Sequence, residues 1–389
     1  MKSSETTYRL PAKDLLFFRG LALLGCVALL LGLLLAPERA WANVLLLGYY
    51  LTSLGLGGLL IVALHYVTGA RWSGPLRRVP EAMAALLPVA SIGLLAVLLL
   101  RPSLYSWTQG PEQEPDSPLG HLWLSRPFFL LRSSIYLLLW TIFAVAIVRN
   151  SRRQDRASDA APSGTNLRLS AGFLVVFGIT CWLAGSDWIM SLEPKWSSTI
   201  FGVYNFAGII LTSLAAVTLL ALWLQRRGPL AEAVTKDHFH DLATLLFGFS
   251  CFWMYIWFCQ YLLIWYTNQP EEAIYFAHRW QGSWPALILL AVVLNWGIPF
   301  CLLLFRAAKR SPTVLGAVCL LVLVGRWFDL FAMIFPSQSD VASIPGPLEL
   351  GMLCGAIGAA CLTFFHAFGQ APPVPLNDPV SGENHPATA

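Results

Sequence analysis

Ten apolar runs, each long enough to cross a lipid bilayer, constrain this chain more than any other feature of its sequence. A helix needs about 20 apolar residues to span the hydrocarbon core. The runs are too continuous to be amphipathic surface helices. We therefore predict an all-α integral membrane protein with about ten transmembrane helices. The predicted spans are residues 15–35, 44–66, 81–100, 128–148, 169–192, 200–224, 242–266, 284–305, 313–335 and 348–368.

The overall composition supports this interpretation. The chain is 57% hydrophobic and 12% charged, whereas a soluble domain has about 25% charged residues. Sixteen Trp residues suit a protein with aromatic belts at two membrane interfaces. No basic tract interleaved with aromatic residues occurs outside the short loops, so we exclude nucleic acid as a partner and expect membrane lipids instead.

The distribution of Lys and Arg over the connecting segments predicts the orientation in the membrane. Seventeen of these residues lie in the N-terminal segment and the even-numbered loops. Basic residues accumulate on the cytoplasmic side of membrane proteins. We therefore expect both termini in the cytoplasm, with residues 1–14 as a cytoplasmic segment, and a multi-pass location in the cytoplasmic membrane. The remaining loops contain five: Arg39, Arg101, Arg126, Lys195 and Arg279.

The fifth and ninth spans share a pattern that suggests an internal repeat. Asp187 precedes Pro194 by seven residues, and Asp329 precedes Pro336 by the same number. Seven helical residues rise about 10 Å, so each Asp should lie below the outer surface, at the edge of the hydrocarbon. Parallel repeats about an axis along the membrane normal are a known transport architecture. Two tandem four-helix bundles would produce this spacing.

The predicted organisation follows from this repeat. Residues 15–368 form the membrane domain, in which residues 44–192 are the first bundle and residues 200–335 the second, with one flanking helix at each end. The loop 101–127 is long, acidic and rich in proline, and is either an external docking surface or a disordered connector. Residues 369–389 have the composition of a disordered cytoplasmic tail.

Charged residues within the spans are costly to bury and so indicate function or pairing. Arg326 and Asp329 are three residues apart and share a helix face, so they can pair. Arg132 should lie at the depth of Asp187, and we predict that these two side chains pair across the first bundle. The pair of Arg326 and Asp329 is explained either as a structural ion pair or as part of a proton path or quinol pocket.

Two further polar groups lie at the ends of spans. Glu193 and Lys195 flank a proline at the outer boundary, where a solvated turn is the simpler explanation. The sequence "KDHFHD" places His240 and Asp241 at the cytoplasmic start of the seventh span. This cluster either collects protons, because His titrates near neutral pH, or is a polar helix cap with Asp237 in the first turn.

We expect the chain to bind no redox cofactor of its own. Its eight Cys residues all fall in apolar stretches without a C-x-x-C pair, which favours small buried side chains over an iron–sulfur or zinc site. Haem b would need His ligands at depth, and only His65 and His366 come near span ends. Gly351 and Gly355, four residues apart, predict a close helix-packing face.

Four stretches of the chain resemble a known family. They are "SRPFFLLRSSIYLLLW" (125–140), "DWIMSLEPKWSSTIFGVYNFAG" (187–208), "HDLATLLFGFSCFWMYIWFCQYLLIWYTNQPEEAIYF" (240–276) and "RWFDLFAMIFP" (326–336). They are similar to the NrfD-like, polysulfide-reductase-type membrane subunits, in particular the ActF subunits of bacterial alternative complex III. The similarity runs from about residue 123 to 336, and the segment 240–276 carries it most specifically.

The resemblance implies ten helices in two four-helix bundles and a place in a quinol:electron-acceptor oxidoreductase of the bacterial inner membrane. In such a complex a second, larger NrfD-like membrane subunit, together with iron–sulfur and c-type cytochrome subunits, oxidises menaquinol or ubiquinol. Electrons then pass to a cytochrome c or to a terminal oxidase. The role implied for this chain is proton conduction coupled to quinol oxidation.

This sequence departs from the family pattern at two positions. A His is usual where Lys195 and Arg326 stand. Lys195 is expected at the surface, where the change matters little. Arg326 beside Asp329 is a permanent positive charge and would keep the carboxylate ionised. The proton-path candidates are Asp187, Asp329, Arg326, Arg132, Tyr204, Tyr261, His240 and Asp241.

Three other hypotheses are compatible with the same sequence. The chain could bind a quinone near the outer surface, with Asp187, Trp188, Glu193 and Trp196 around the headgroup. It could be a purely structural subunit of the same complex. It could also be an independent solute transporter, although the prolines within spans, such as Pro88, do not occupy corresponding positions in the two halves.

Overall fold

The structure, a computed structural model, describes residues 7–110, 118–156, 161–338 and 344–376. Within these residues ten helical segments are long and apolar enough to cross a membrane, and no β-strand occurs. The predicted all-α multi-pass class is therefore confirmed. The spans are Ala12–Leu35, Pro37–Thr68, Gly74–Leu100, Arg126–Gln154, Pro162–Leu192, Phe201–Arg227, Lys236–Thr267, Trp284–Leu303, Pro312–Ser337 and Pro347–Phe368.

Three short α-helices lie outside the spans, in addition to the 3-10 turns Pro102–Leu104 and Ser106–Thr108. Pro118–Trp123 and Pro270–Arg279 precede the fourth and eighth spans, and Arg306–Lys309 precedes the ninth. Each of the first two has a Pro in its first turn, where the missing N–H leaves no helical hydrogen bond unmade. These helices bring Trp123 and Arg279 towards the ends of the bundles.

Two spans are interrupted. The third span consists of a 3-10 turn, Gly74–Leu76, followed by the helices Arg78–Met83 and Leu86–Leu100. The eighth span contains a π-helical stretch, Val293–Gly297. There the hydroxyl of Ser250 donates a 2.6 Å hydrogen bond to the carbonyl of Asn295. A neighbouring helix thus supplies a partner for a backbone group in the irregular turn.

The helix contacts form two rings of four. In the first ring the second span packs on the third, the third on the fourth, the fourth on the fifth, and the fifth on the second. The sixth to ninth spans close a second ring in the same order. The rings meet where the second span packs against the sixth and the ninth, and the fifth against the sixth. This arrangement is the pair of tandem bundles that the repeat predicted.

The first and tenth spans pair with each other through small residues. The backbones at Gly25 and Gly355 approach so closely that a side chain at either position would collide with the other glycine. A side chain at Gly351 would meet Ala28. The close-packing face predicted from "GMLCG" is thus confirmed, because only small residues let two helices approach this closely in a bilayer.

Polar contacts define two faces of the molecule. On one, which we call the terminal face, Arg227 pairs with Asp14 at 3.2 Å, and Arg152 reaches Gln370 at 2.6 Å. On the other, which we call the opposite face, the side chain of Gln338 donates to the carbonyl of Leu104 at 3.2 Å. Both described chain ends therefore lie on the terminal face.

The segment after the tenth span packs on the terminal face and does not project from it. Ala371, Pro373 and Pro375 are buried, and the amide of Leu376 donates to Asp155 at 3.0 Å. The predicted disordered tail therefore begins with an ordered stretch, because its prolines cover an existing surface. Its remaining residues, 377–389, lie outside the described residues, as do residues 1–6 and the acidic part, 111–117, of the loop 101–127.

Candidate functional site: two buried carboxylates and an aromatic vestibule

Asp187 is held by four hydrogen bonds at the end of the first bundle. Arg132 donates from Nη2 to Oδ1 at 2.9 Å and from Nε to Oδ2 at 3.2 Å. The indole of Trp123 donates to Oδ1 at 2.9 Å, and the hydroxyl of Tyr136 to Oδ2 at 3.2 Å. The predicted pair of Arg132 and Asp187 is confirmed. Both carboxylate oxygens carry two donors each, which is how a buried charge is stabilised.

Aromatic rings enclose the other side of Arg132. Its guanidinium carbon lies 3.9 Å from the ring centre of Trp123 and 4.5 Å from that of Phe128. Its Nη1 donates to the carbonyl of Trp123 at 2.8 Å. Cation–π contacts are strongest where water is excluded. The Asp187 site is consequently a filled electrostatic cluster that ties Pro118–Trp123 to the fourth and fifth spans.

Asp329 occupies the corresponding position in the second bundle, but one of its partners comes from its own helix and the other from the sixth span. Arg326, on the same helix, pairs with Oδ2, and the hydroxyl of Tyr204 on the sixth span donates to Oδ1. The Arg326 side chain is fully buried and that of Asp329 is 6% exposed. Gly208 makes room for the guanidinium, since a Cβ there would collide with it. The predicted pair of Arg326 and Asp329 is confirmed.

A polar chain connects this site to the first bundle. The hydroxyl of Tyr49 donates to Oδ1 of Asn205 at 3.1 Å, and Nη2 of Arg326 donates to the same oxygen at 3.5 Å. The ring of Tyr49 packs edge-on against Trp188 at 6.3 Å between centroids. Asn205 therefore gives Arg326 a second acceptor at the junction of the bundles.

A small cavity lies beside Asp329. It has a volume of about 30 Å³, and Tyr204, Gln260, Tyr275, Arg279 and Asp329 contribute to its wall. A cavity of at least roughly 10–15 Å³ with polar partners can hold a water molecule. Asp329 thus has space next to it for a water that could carry a proton, whereas Asp187 is surrounded by hydrogen-bond donors.

A larger space opens on the opposite face and forms a vestibule. Its volume is about 890 Å³, and its wall includes Glu193, Lys195, Trp196, His278 and Trp284. Trp196 stacks on Tyr275 with 3.8 Å between ring centroids. The short helix Pro270–Arg279 lies between the vestibule and the small cavity, since its residues contribute to both walls.

Glu193 differs from the solvated turn residue expected from sequence. It accepts a 2.7 Å hydrogen bond from Nη1 of Arg279, and its side chain is only 13% exposed. Lys195 is exposed, as predicted. Burial raises the pKa of the neighbouring Tyr275 to about 12, against the opposing effect of Arg279. The phenol therefore stays neutral near pH 7, and Glu193 is the acidic partner of the arginine.

The remaining proton-path candidates lie apart from the two carboxylates. The ring of Tyr261 contacts Trp257, Phe276 and Trp280 in an aromatic cluster. His240 and Asp241 lie at the start of the seventh span, about 20 Å along the helix from Trp253, whose ring packs near Tyr204.

The "KDHFHD" segment forms a helix cap, which was one of the two roles predicted for it from the sequence. Thr235 is the N-cap, and its backbone amide donates to the ring of His238 at 3.1 Å. Asp237 pairs with Arg310. Capping of this kind satisfies backbone N–H groups that have no partner within the helix. His240 is half-buried and Asp241 is exposed.

Trp188 and Trp196 are both buried but differ in their surroundings. Trp188 is fully buried and its indole donates to Ser133 at 2.9 Å. Trp196 is 3% exposed and lines the vestibule. Of the four quinone-site candidates, Glu193 and Trp196 therefore face the vestibule. Asp187 and Trp188 lie in the packed interior of the first bundle.

A buried ionic cluster near the terminal face of the first bundle was not predicted from the sequence. Glu81 accepts from Arg78 at 2.6 Å and from Ser151 at 2.5 Å, and Arg77 lies 3.2 Å away. Arg78 also pairs with Asp155. The sequence "RRVPE" carries a signal for this cluster, because Arg78 and Glu81 are at the i,i+3 spacing. Arg279 was likewise counted only as a loop residue, and its spacing from Glu193 gives no signal.

Searches of protein-family models and of curated protein sequences give no match to this chain.

Among the residues that the structure describes, no group of three or more His, Cys, Asp and Glu side chains is arranged to hold a metal ion. The second-bundle site contains the carboxylates of Asp329 and Glu193, the phenols of Tyr204 and Tyr275, and the guanidinium groups of Arg279 and Arg326.

Proposed function

We propose that this chain is a membrane subunit, without redox cofactors of its own, of a quinol:electron-acceptor oxidoreductase complex, and that it conducts protons through its second bundle. The proton path is supported by Asp329, a buried carboxylate beside a water-sized cavity that shares the helix Pro270–Arg279 with the wall of the vestibule. Ionisable residues within membrane spans commonly mark proton relays. The respiratory placement rests on the resemblance to ActF subunits of alternative complex III.

Most residues that line the small cavity lie in the segments that carry the family resemblance. The segment 240–276 carries the resemblance most specifically, and it supplies Trp257, Gln260, Tyr275 and Phe276 to the wall of the small cavity. The segment 326–336 supplies Asp329, Ala332 and Met333. Cavity-lining residues are therefore concentrated where the chain resembles a family with an implied proton role.

Asp329 is a better proton carrier than Asp187 in this arrangement. Asp187 has four donors fixed around it, so protonation would break a complete cluster. Asp329 has Tyr204, Arg326 and the adjacent cavity. When Arg326 shifts towards Asn205 Oδ1, which is already 3.5 Å away, the carboxylate loses its cation and can take up a proton.

The orientation belongs to the proposal as well. With both termini in the cytoplasm of a bacterial cell, as the distribution of basic residues predicts, the vestibule opens outside and protons leave there. Reporter fusions at the C-terminus and within the loop 101–127 test this directly. A C-terminal reporter that is active only outside the cytoplasm would contradict it.

Purification from the native membrane tests the placement in a complex. A tag on this chain, mild detergent and mass spectrometry should recover an iron–sulfur subunit, c-type cytochromes, a second NrfD-like membrane subunit and, where a direct route exists, a terminal oxidase. A well-folded chain that emerges alone and without haem absorbance would contradict the placement in the oxidoreductase complex. It would favour the hypothesis of an independent solute transporter.

A second candidate role, quinone binding, is favoured by the vestibule. Its volume falls within the roughly 300–1,000 Å³ of small-molecule sites, and its wall combines Glu193 with Trp196 and Trp284. A short-chain quinone analogue should then protect the exposed Lys195 of the vestibule wall from an amine-reactive label in the purified complex, with the exposed Lys236, outside the vestibule, as the control. Equal labelling of Lys195 with and without the analogue would exclude this role.

A further inference from the structure

Arg279 lies at the border between the small cavity and the vestibule. We call this border, which Arg279 and Glu193 form, the neck. It forms part of the wall of the small cavity beside Asp329, whereas its partner Glu193 forms part of the wall of the vestibule. The 2.7 Å contact between these two side chains therefore lies at the boundary between the spaces. This ion pair therefore borders a direct route for a proton from Asp329 to the vestibule.

The backbone of the ninth span holds the guanidinium in place. Nε donates to the carbonyl of Ala332 at 3.0 Å and Nη2 to that of Met333 at 2.9 Å. Nη1 donates to the carbonyl of Tyr275 at 2.9 Å, and the tyrosine ring lies 3.5 Å from the guanidinium carbon. Ala332 and Met333 belong to the last turn of the helix Pro312–Ile334, where a cation is stabilised by the helix dipole.

The neck joins both bundles. Arg279 ends the short helix before the eighth span, the carbonyls belong to the ninth span, and Glu193 follows the fifth span of the first bundle. Arg279 is 3% exposed. The arginine is therefore a fixed and nearly dry positive charge, and one carboxylate oxygen of Glu193, Oε2, is buried without a hydrogen-bond partner among the described residues.

We infer that Arg279 is the electrostatic barrier that stops protons in the vestibule from returning to Asp329, and that Glu193 lowers this barrier by partly neutralising it. A fixed arginine excludes protons and cations from narrow pores in the same physical way. The inference rests on the proposed proton path. It adds a control point to that path, since a proton that crosses the neck meets a fixed positive charge.

The experiment measures the passive proton leak of the purified full chain in lipid vesicles. A potassium diffusion potential drives protons, and a trapped pH dye reports their entry. The wild type should be tight. Arg279→Gln, which keeps a polar side chain but removes the charge, should raise the leak about tenfold or more, because the lost positive charge no longer repels a proton in a poorly hydrated neck.

A double variant separates a path through Asp329 from a simple defect. In Arg279→Gln with Asp329→Asn the leak should return to the wild-type level, because the carrier group is gone. A leak that persists in the double variant, or a folded Arg279→Gln protein as tight as the wild type, would overturn the inference. The proposed function would survive either result, since it is tested by quinol-driven proton release in the assembled complex.

Arg279→Lys keeps the inference testable if the glutamine variant does not fold. The lysine retains a donor for the carbonyls and for Glu193, but a poorly hydrated amine loses its proton more easily than a guanidinium. The lysine variant should be tight at pH 6 and leak increasingly towards pH 9, while the wild type stays tight throughout. A lysine variant without this rise would also overturn the inference.

Discussion

Tyr49 on the second span and Asn205 on the sixth are joined by a 3.1 Å hydrogen bond from the phenol to the side-chain carbonyl. Both residues are buried. The same carbonyl oxygen lies 3.5 Å from Nη2 of Arg326. The hydrogen bond from Tyr49 therefore holds Asn205 where its oxygen can accept a hydrogen bond from Arg326. The contact between bundles and the proton-path candidate of the second bundle thus share one side chain.

Removal of the Tyr49 hydroxyl should weaken this junction. Tyr49→Phe leaves the ring packing in place and deletes one buried donor, which should cost about 1 kcal/mol of stability. We expect a lower Tm in detergent, followed by tryptophan fluorescence. Tyr255→Phe is the matched control, because Tyr255 is 62% exposed on the outer surface of the bundle. An equal change in the two variants would mean that the hydrogen bond contributes nothing specific.

The pair of Arg132 and Asp187 should be essential to the stability of the first bundle. Arg132→Gln leaves a buried carboxylate without its cation, and loss of one partner of a buried pair costs about 3–5 kcal/mol. Adding Asp187→Asn should recover part of this loss, since the asparagine needs no counter-charge. A double-mutant cycle from denaturant unfolding measures the coupling. Additive losses in the cycle would contradict the interaction.

The two carboxylates should differ in their effect on proton movement. In the purified complex, Asp329→Asn should abolish quinol-driven proton release to the vestibule side through this subunit, while Asp187→Asn should reduce complex stability more than proton yield. The measurement is the number of protons released per quinol oxidised, followed with a pH dye. Release that is unaffected by Asp329→Asn in an intact complex would exclude the second bundle as the path.

The glycine contact between the first and tenth spans provides a packing test. Gly355→Leu would force the two helices apart, because the backbone of Gly25 occupies the space that the new side chain needs. Overpacking typically costs about 1–3 kcal/mol. Gly20→Leu is the control on the same helix pair, since no atom lies within 4 Å of its Cβ position. We expect only the first variant to lower the Tm.

Much of the architecture could be predicted from the sequence, because the bilayer makes the problem nearly one-dimensional. A span must be about 20 apolar residues long and must satisfy its own backbone, so the ten helices follow from hydropathy. The repeat could be inferred from the shared spacing of Asp187 and Asp329. The pair of Arg326 and Asp329 could be inferred as well, since three residues on a helix face the same way.

Contacts between distant segments could be predicted only in part. The pairing of Arg132 with Asp187 followed from depth alone, because each charge needed a partner at the same level. Glu193 and Arg279 are both loop residues by sequence, and no periodicity connects them.

The sequence by itself determined that this chain crosses a membrane ten times and where its costly charges lie. Only the tertiary structure decided which of those charges are enclosed and which border open space. Asp187 is surrounded by donors, Asp329 lies beside a cavity, and Arg279 in the wall of that cavity pairs with Glu193 of the vestibule wall. The physical reason is that hydropathy depends on each residue's own transfer free energy, whereas cavities and ion pairs depend on the packing of helices distant in sequence.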